Sequence, residues 1–235
     1  MAEVKKLAHQ RGGRFIKDVV YGANDGIITT FAVIAGVAGA SLSPVTVLLL
    51  GFANLLADGF SMAASNYLGT KSESNVFKKE REVESSEIQT CREEEIKETR
   101  KILTQKGYKG KDLESLLSLI SKNKKFWIDL MLHEELSLSP ASEKAKPISR
   151  GVFTLFAFVT AGSVPLMPFL FFGLLASPFK LAAVFTAFTL FLVGSMRSFF
   201  TGKQWFFEGL EMFLVGGVAS AIAYAIGYFA KTLIA

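Results

Sequence analysis

Apolar residues gather in two stretches of this chain, 19–69 and 151–235, and the segment between them is dense in charge. Five apolar runs can be drawn within the two stretches, at about 19–41, 45–69, 151–174, 178–200 and 207–230. Each has about 20 residues or more, the length that crosses about 30 Å of hydrocarbon as a helix. Ser41–Pro44 reads as a tight uncharged turn between the first two runs. No helix stop stands at Lys71, so the second helix is expected to continue past the apolar part. Pro165 and Pro168 interrupt the third run and are expected to break its helix, which is tolerated where the backbone is buried in protein or lines a cavity. The charged segment reads as three helices. The first, about 71–105, has no Pro or Gly. KGYKGK (106–111) is a turn, Asp112 can cap a second helix at about 113–122, and a third follows the Lys122–Asn123 break at about 124–137. Leu113, Leu116, Leu117 and Ile120 share one face of the second. Residues 138–147 read as a linker.

Charge then orients these elements. The chain has 235 residues, half of them hydrophobic, with 22 Phe. Residues 71–150 hold 17 Lys/Arg against 15 Asp/Glu. Five more basic residues (Lys5, Lys6, Arg11, Arg14, Lys17) precede the first run, whereas the connections after runs one, three and five carry few or none. The positive-inside rule makes the N-terminus and residues 71–150 cytosolic. The reading is an all-α, multi-pass membrane protein: a basic arm (1–18), helices one and two (19–70), a cytosolic helical domain (71–146), and helices three to five (147–235). A basic surplus placed this way is no nucleic-acid signature, and Asp25 interrupts what would have to be the core of a signal peptide. The single cysteine, Cys91, excludes an internal disulfide and any multi-cysteine zinc site. Five spans leave no two-fold repeat inside one subunit, so a two-fold symmetric pathway would need a dimer. Small residues crowd run one (Ala32, Ala35, Gly36, Gly39) and run five (Gly216, Gly217, Ala223, Gly227). They suit either a dimer seam or packing within one subunit.

Candidate chemistry sits in both parts. Asp58 lies deep in an apolar run, where a carboxylate is costly and usually serves an ion, a proton or a pathway. Met62 is one turn further on the same face, and Asn54 one turn before. Asp25, in GANDG, is either a second pathway acid or a helix cap at a kink. Glu208 and Glu211 read as solvated interfacial acids. In the charged segment, Glu84/Glu87 and Glu95/Glu98 are i, i+3 pairs, and an unbroken helix would put all four on one stripe with Cys91. The competing reading is a solvated helix paired by Lys97, Arg100 and Lys101. Met131 and Glu135 are i, i+4, while His133 lies off their face. Carboxylates with few thioethers suit Fe²⁺ and Mn²⁺ and release them readily.

Taken in order, YGANDGIITTFAVIAGVAGA (21–40), ADGFSMAASNYLGTKSE (57–73), the glutamate tract, WIDLMLHEELSL (127–138) and the SVPLMPF break resemble the vacuolar iron transporter family. The resemblance implies a homodimer of five-span subunits, each with a three-helix cytosolic metal-binding domain. Its ion pathway would run along the dimer axis between the first and second spans. It implies a transporter, not an enzyme, that moves Fe²⁺ out of the cytosol in exchange for protons. Manganese is the close alternative substrate, Co²⁺ and Zn²⁺ are further ones, and no prosthetic group is implied. A membrane-anchored sensor or ferroxidase is a different reading, and the charged segment lacks the Glu-x-x-His pair of di-iron bundles. The resemblance assigns the pathway to Asp25 and Met62 and the metal sites to Glu84, Glu87, Glu95, Glu98, Met131 and Glu135. Two positions depart from it: Leu132 stands where a second methionine can occur, and Asn54 where a pathway glutamate is expected. Asp58, one turn along the same face, is the carboxylate that could replace it. The membrane would be a cell's inner membrane in a prokaryote, or a vacuolar or other organellar one in a eukaryote.

Overall fold

A computed structural model describes the backbone of residues 2–143, 145–171 and 177–234, and the side chains of these except 2–14, 140, 141 and 234. The side chains of Lys5, Lys6, Arg11 and Arg14 of the arm lie outside what is described, as do Lys144 of the linker and the expected end of the third run at 172–174. The described elements are all helical: α1 (Ala2–Gly39), α2 (Pro44–Thr90), α3 (Arg92–Gln105), α4 (Gly110–Lys122), α5 (Lys124–Glu134), α6 (Pro140–Glu143), α7 (Pro147–Ser163), a 3₁₀ turn (Val164–Leu166), α8 (Met167–Phe171), α9 (Pro178–Thr201) and α10 (Trp205–Ile234). The chain divides into two compact units, Met1–Tyr67 with Ile148–Ala235, and Leu68–Pro147.

The first unit holds the apolar helices. Five are long and apolar enough to cross a membrane: Phe15–Gly39 of α1, the α2 helix through its apolar part, Pro147–Phe171, α9 and the Trp205–Leu233 stretch of α10. The proline pair interrupts the third of these with the Val164–Leu166 turn. Along α2, Val47, Gly51, Leu55, Gly59 and Ala63 are buried at every fourth position, the spacing of one helix face. Leu55 joins Phe31, Ile34, Phe158 and Leu166 in the core. Glycines let the backbones close in. A Cβ at Gly22 would stand 2.6 Å from the Thr154 carbonyl oxygen, and one at Gly162 2.7 Å from that of Gly26. The small residues of α1 and α10 face each other, with Gly36 and Gly39 against Ala223, Tyr224 and Gly227. These residues therefore pack within the subunit, while Gly217 meets open space. Leu49, Leu56 and Phe60 on α2, Phe156 on α7, Phe188 on α9 and Phe229 on α10 are exposed, as lipid-facing side chains should be.

The second unit builds a small apolar core of its own. Phe77 and Ile88 from α2, Leu103 from α3, Leu113, Leu117 and Ile120 from α4, and Trp127, Ile128, Met131 and Leu132 from α5 form it, with Leu116 packed against its edge. α2 does run on past Lys71, as far as Thr90. The single helix expected over 71–105 is corrected, because the chain turns at Cys91 (φ −123°, ψ 36°) and restarts as α3. α4 begins at Gly110 behind Lys109, so Asp112 lies in the first turn and is not the cap. Asn123 caps α5 through its side chain, which accepts from the Phe126 amide at 3.2 Å. The linker contains the short helix α6, and Arg81 joins Asp129 of α5 to Glu143 of α6 at 3.2 Å each.

Candidate metal and transport sites

The turn at Cys91 decides the geometry of the glutamates. On an unbroken helix Glu84 and Glu95 would be separated by about 16 Å of rise, beyond what two glutamate side chains can close. In the folded unit, carboxylate oxygens of Glu84, Glu87 and Glu95 lie within 4.8 Å of one another. Glu84 and Glu95 are buried, Glu87 half-buried. Cys91 itself is exposed and outside the group. Glu98 and Glu135 are exposed, but their charges act on Glu84 and Glu95. Burial first, and then the neighbouring carboxylates, pushes Glu84 and Glu95 up to about 7. Glu135 is also raised, by partial desolvation against its neighbours and by Glu98 and Glu87. All three raised groups lie in the charged unit, Leu68–Pro147.

The expectation that lysines and arginines neutralise this stripe is not met. Among the described residues no ion pair reaches Glu84, Glu87, Glu95, Glu98 or Glu135, and Arg100 pairs instead with Glu114 of α4. One carboxylate oxygen each of Glu84 and Glu95 is buried without a hydrogen bond. Like charges gathered in partial burial with no cation among them are costly, and a divalent ion would remove that cost. Met131, one turn before Glu135, is fully buried in the apolar core. Its sulfur is 3.5 Å from the Thr99 hydroxyl. Thr99 also accepts from the Trp127 indole at 2.7 Å and donates to the Glu95 carbonyl at 2.7 Å. A buried threonine thus ties the backbone of Glu95 to α5, and the Arg92 guanidinium lies 5.1 Å over the Trp127 ring. Sequence reading missed Thr99, whose only signal was a polar residue one turn after Glu95.

In the apolar unit, Asn54, Asp58 and Met62 are half-buried at successive turns of α2. α1 runs through Asp25 without interruption, which removes the helix-cap reading. Asp25 is also half-buried, and its charge and that of Asp58 act on each other. Its carbonyl accepts from Thr29 at 2.8 Å. Met62 packs against the core of Phe31, Leu55 and Phe158, and the amide nitrogen of Asn54 is buried without a partner. The polar line continues in residues the sequence reading passed over. Asp18, 5% exposed, accepts from the Asn66 amide at 2.9 Å. The same amide donates to Thr154 at 2.7 Å, so α1, α2 and α7 are pinned at one level. Asn66 is one turn beyond Met62, a spacing that could have revealed it. A further correction concerns Glu208, which is buried and paired with Arg197 at 3.1 Å, whereas Glu211 is exposed.

The chain is 37% identical over 221 residues to a Vacuolar iron transporter of Toxoplasma gondii, covering 91% of this chain and 73% of that protein. A Vacuolar iron transporter of Plasmodium berghei is 31% identical over 92% of this chain and 82% of its own length. Vacuolar iron transporter 1 of Arabidopsis thaliana is 31% identical over 93% and 87%. The model of the VIT family matches residues 16–228, and with relatives of this identity along nearly its whole length the chain belongs to the VIT family.

Proposed function

We propose that this protein carries Fe²⁺ out of the cytosol across a membrane, in exchange for protons, as a homodimer. One observation carries the reading. Three glutamates meet within 4.8 Å, two of them buried, with no ion-paired cation among the described residues. An apolar unit with two half-buried acids, Asp25 and Asp58, accompanies them, and the relatives bear transporter names. Glu84, Glu87 and Glu95, helped by Glu98, Glu135 and Met131, collect the ion on the cytosolic side. Asp25, Asp58 and Met62, with Asn54 beside them, pass it through the bilayer between α1 and α2 of two subunits. Oxygen donors with a single thioether bind Fe²⁺ reversibly. A carboxylate that holds metal on one side and a proton on the other couples the two fluxes, because both compete for one charge. The same donor set suits Mn²⁺, the second reading. Purified protein in liposomes tests both: Fe²⁺ uptake driven by a proton gradient supports the proposal, and faster Mn²⁺ uptake under the same gradient selects the alternative. Absence of flux for either ion would defeat it.

A further inference from the structure

Asp18 and Asn66 close one end of the polar line that α1 and α2 share. Asp18 is buried, and its Oδ1 accepts from the Asn66 amide at 2.9 Å. The second N–H of that amide donates to the Thr154 hydroxyl at 2.7 Å, and Thr154 spends its own proton on the Arg150 carbonyl at 3.0 Å. Each donor in this chain of bonds is therefore assigned. Turning the Asn66 amide over would set its oxygen against the Asp18 carboxylate, so one orientation fits. The Arg150 Nε stands 3.9 Å from Asp18 Oδ2, beyond hydrogen-bond reach.

A second rung lies further along the same two helices. Asp25 is seven residues past Asp18 on α1, and Asp58 is eight residues before Asn66 on α2. The helices run in opposite directions, so these steps span about 10.5 and about 12 Å, equal to within one residue's rise. Asp25 and Asp58 accordingly feel each other's charge, and Met62 lies midway between Asp58 and Asn66. A slip of α2 by one residue would shift it about 1.5 Å and rotate it about 100°, carrying Asp58 and Met62 off α1. The Asp18–Asn66–Thr154 tie opposes that slip, because its hydrogen bonds are lost well before such a displacement is complete.

We propose that Asp18, together with Asn66 and Thr154, is a positioning residue for ion transfer: the tie holds Met62 and Asp58 in register with Asp25. The inference rests on the transport reading above. With Asn66 on its first oxygen and Arg150 beside its second, Asp18 serves as an acceptor and not as an ion ligand.

The test reconstitutes full-length variants in liposomes and measures Fe²⁺ flux under a proton gradient, per inserted protein, against Fe²⁺ concentration. Asp18→Ala and Thr154→Val each remove an acceptor from Asn66. Each should lower kcat about tenfold, since misplacing groups by about an ångström slows the step they serve, and leave KM within about twofold. Asp18→Asn keeps an acceptor oxygen for Asn66 and should stay within about twofold of the parental kcat. Asp18→Ala combined with Asn66→Ala should be no slower than either alone, because one tie is lost once. Thr154→Val conserves shape, so it decides the matter even where Asp18→Ala fails to insert. Parental kcat in inserted Asp18→Ala or in Thr154→Val would overturn the proposal. Equal losses in Asp18→Asn and Asp18→Ala would overturn it too, by making the charge itself the active feature, as would additive losses in the double variant. These outcomes leave the transport reading standing, whereas absence of flux in the parent would defeat that reading and this inference with it.

Discussion

Glu84 and Glu95 concentrate the electrostatic strain of the charged unit. Both are pushed up to about 7 by burial and by each other's neighbours, above the usual range for a glutamate. In metal-free protein at pH 6 they therefore hold protons that the unfolded chain has lost. Their contribution to stability is complete below the unfolded carboxylate range and is lost as pH rises through about 7. Metal-free protein should melt at a lower temperature at pH 8 than at pH 5, and Glu84→Gln should flatten that slope. Added Fe²⁺ or Mn²⁺ should restore the melting temperature at pH 8 and do little at pH 5, where protons occupy the oxygens. Melting that ignores pH over this interval would contradict the buried-cluster account. A neutral contact predicts a simpler loss. Thr99→Val leaves the Trp127 indole N–H buried without an acceptor, at a cost of about 1–3 kcal/mol. Denaturant unfolding followed through tryptophan emission should register it.

At the scale of elements, helix spacing and helix breaks carry the consequences. Gly22 and Gly162 sit where two helix backbones nearly touch. Gly162→Val should push α7 away from α1 and destabilise by about 1–3 kcal/mol, the range for overpacking. Gly217→Ala, into open space, should leave the melting temperature unchanged or slightly raised. A similar loss in both variants would argue against the close approach. The turn at Cys91 works through its backbone, since the thiol is exposed and stands outside the carboxylate group. Cys91→Ser should keep metal affinity within about twofold, because no ligand bond is lost; a large drop in an isothermal titration would mean the sulfur is a ligand after all.

For the whole molecule, the proposal is a coupled exchange, and its expectations are flux measurements. Asp25→Asn and Asp58→Asn should each abolish proton-driven metal uptake into liposomes while the protein still inserts, since an acid in hydrocarbon is too costly to be idle. Normal flux in either variant would remove that residue from the pathway. Acid on the far side should accelerate export, because protonation there releases the ion, and a protonophore should slow it. Asn54→Glu offers a finer measurement. Its amide has no partner now, and a carboxylate there should shift the pH dependence of flux if Asp58 has taken over coupling.

Much of the architecture was legible along the chain, because hydrophobic length is a one-dimensional property. A run of about 20 apolar residues reads as a span wherever it occurs, and Pro165 with Pro168 marks its interruption through the missing amide hydrogen. The extension of α2 beyond Lys71 was legible for the same local reason, the absence of any helix breaker. What only the tertiary structure decided depends on distances across the chain. No Gly or Pro marks Cys91 as a corner, yet the corner brings Glu95 against Glu84 and Glu87. The choice between a solvated stripe and a cation-free cluster also turned on where Arg100 went, and it went to Glu114. Asp18 and Glu208 look like ordinary charged residues near helix ends. Their surroundings come from other elements: Asn66 reaches Asp18 from 48 positions away and Thr154 from 88, and Arg197 of α9 meets Glu208 of α10. The small residues of α1 and α10 fitted two partners equally well in the sequence. Packing settled Gly36, Gly39 and Gly227 inside the subunit, because a glycine face specifies close approach and leaves its partner to the fold.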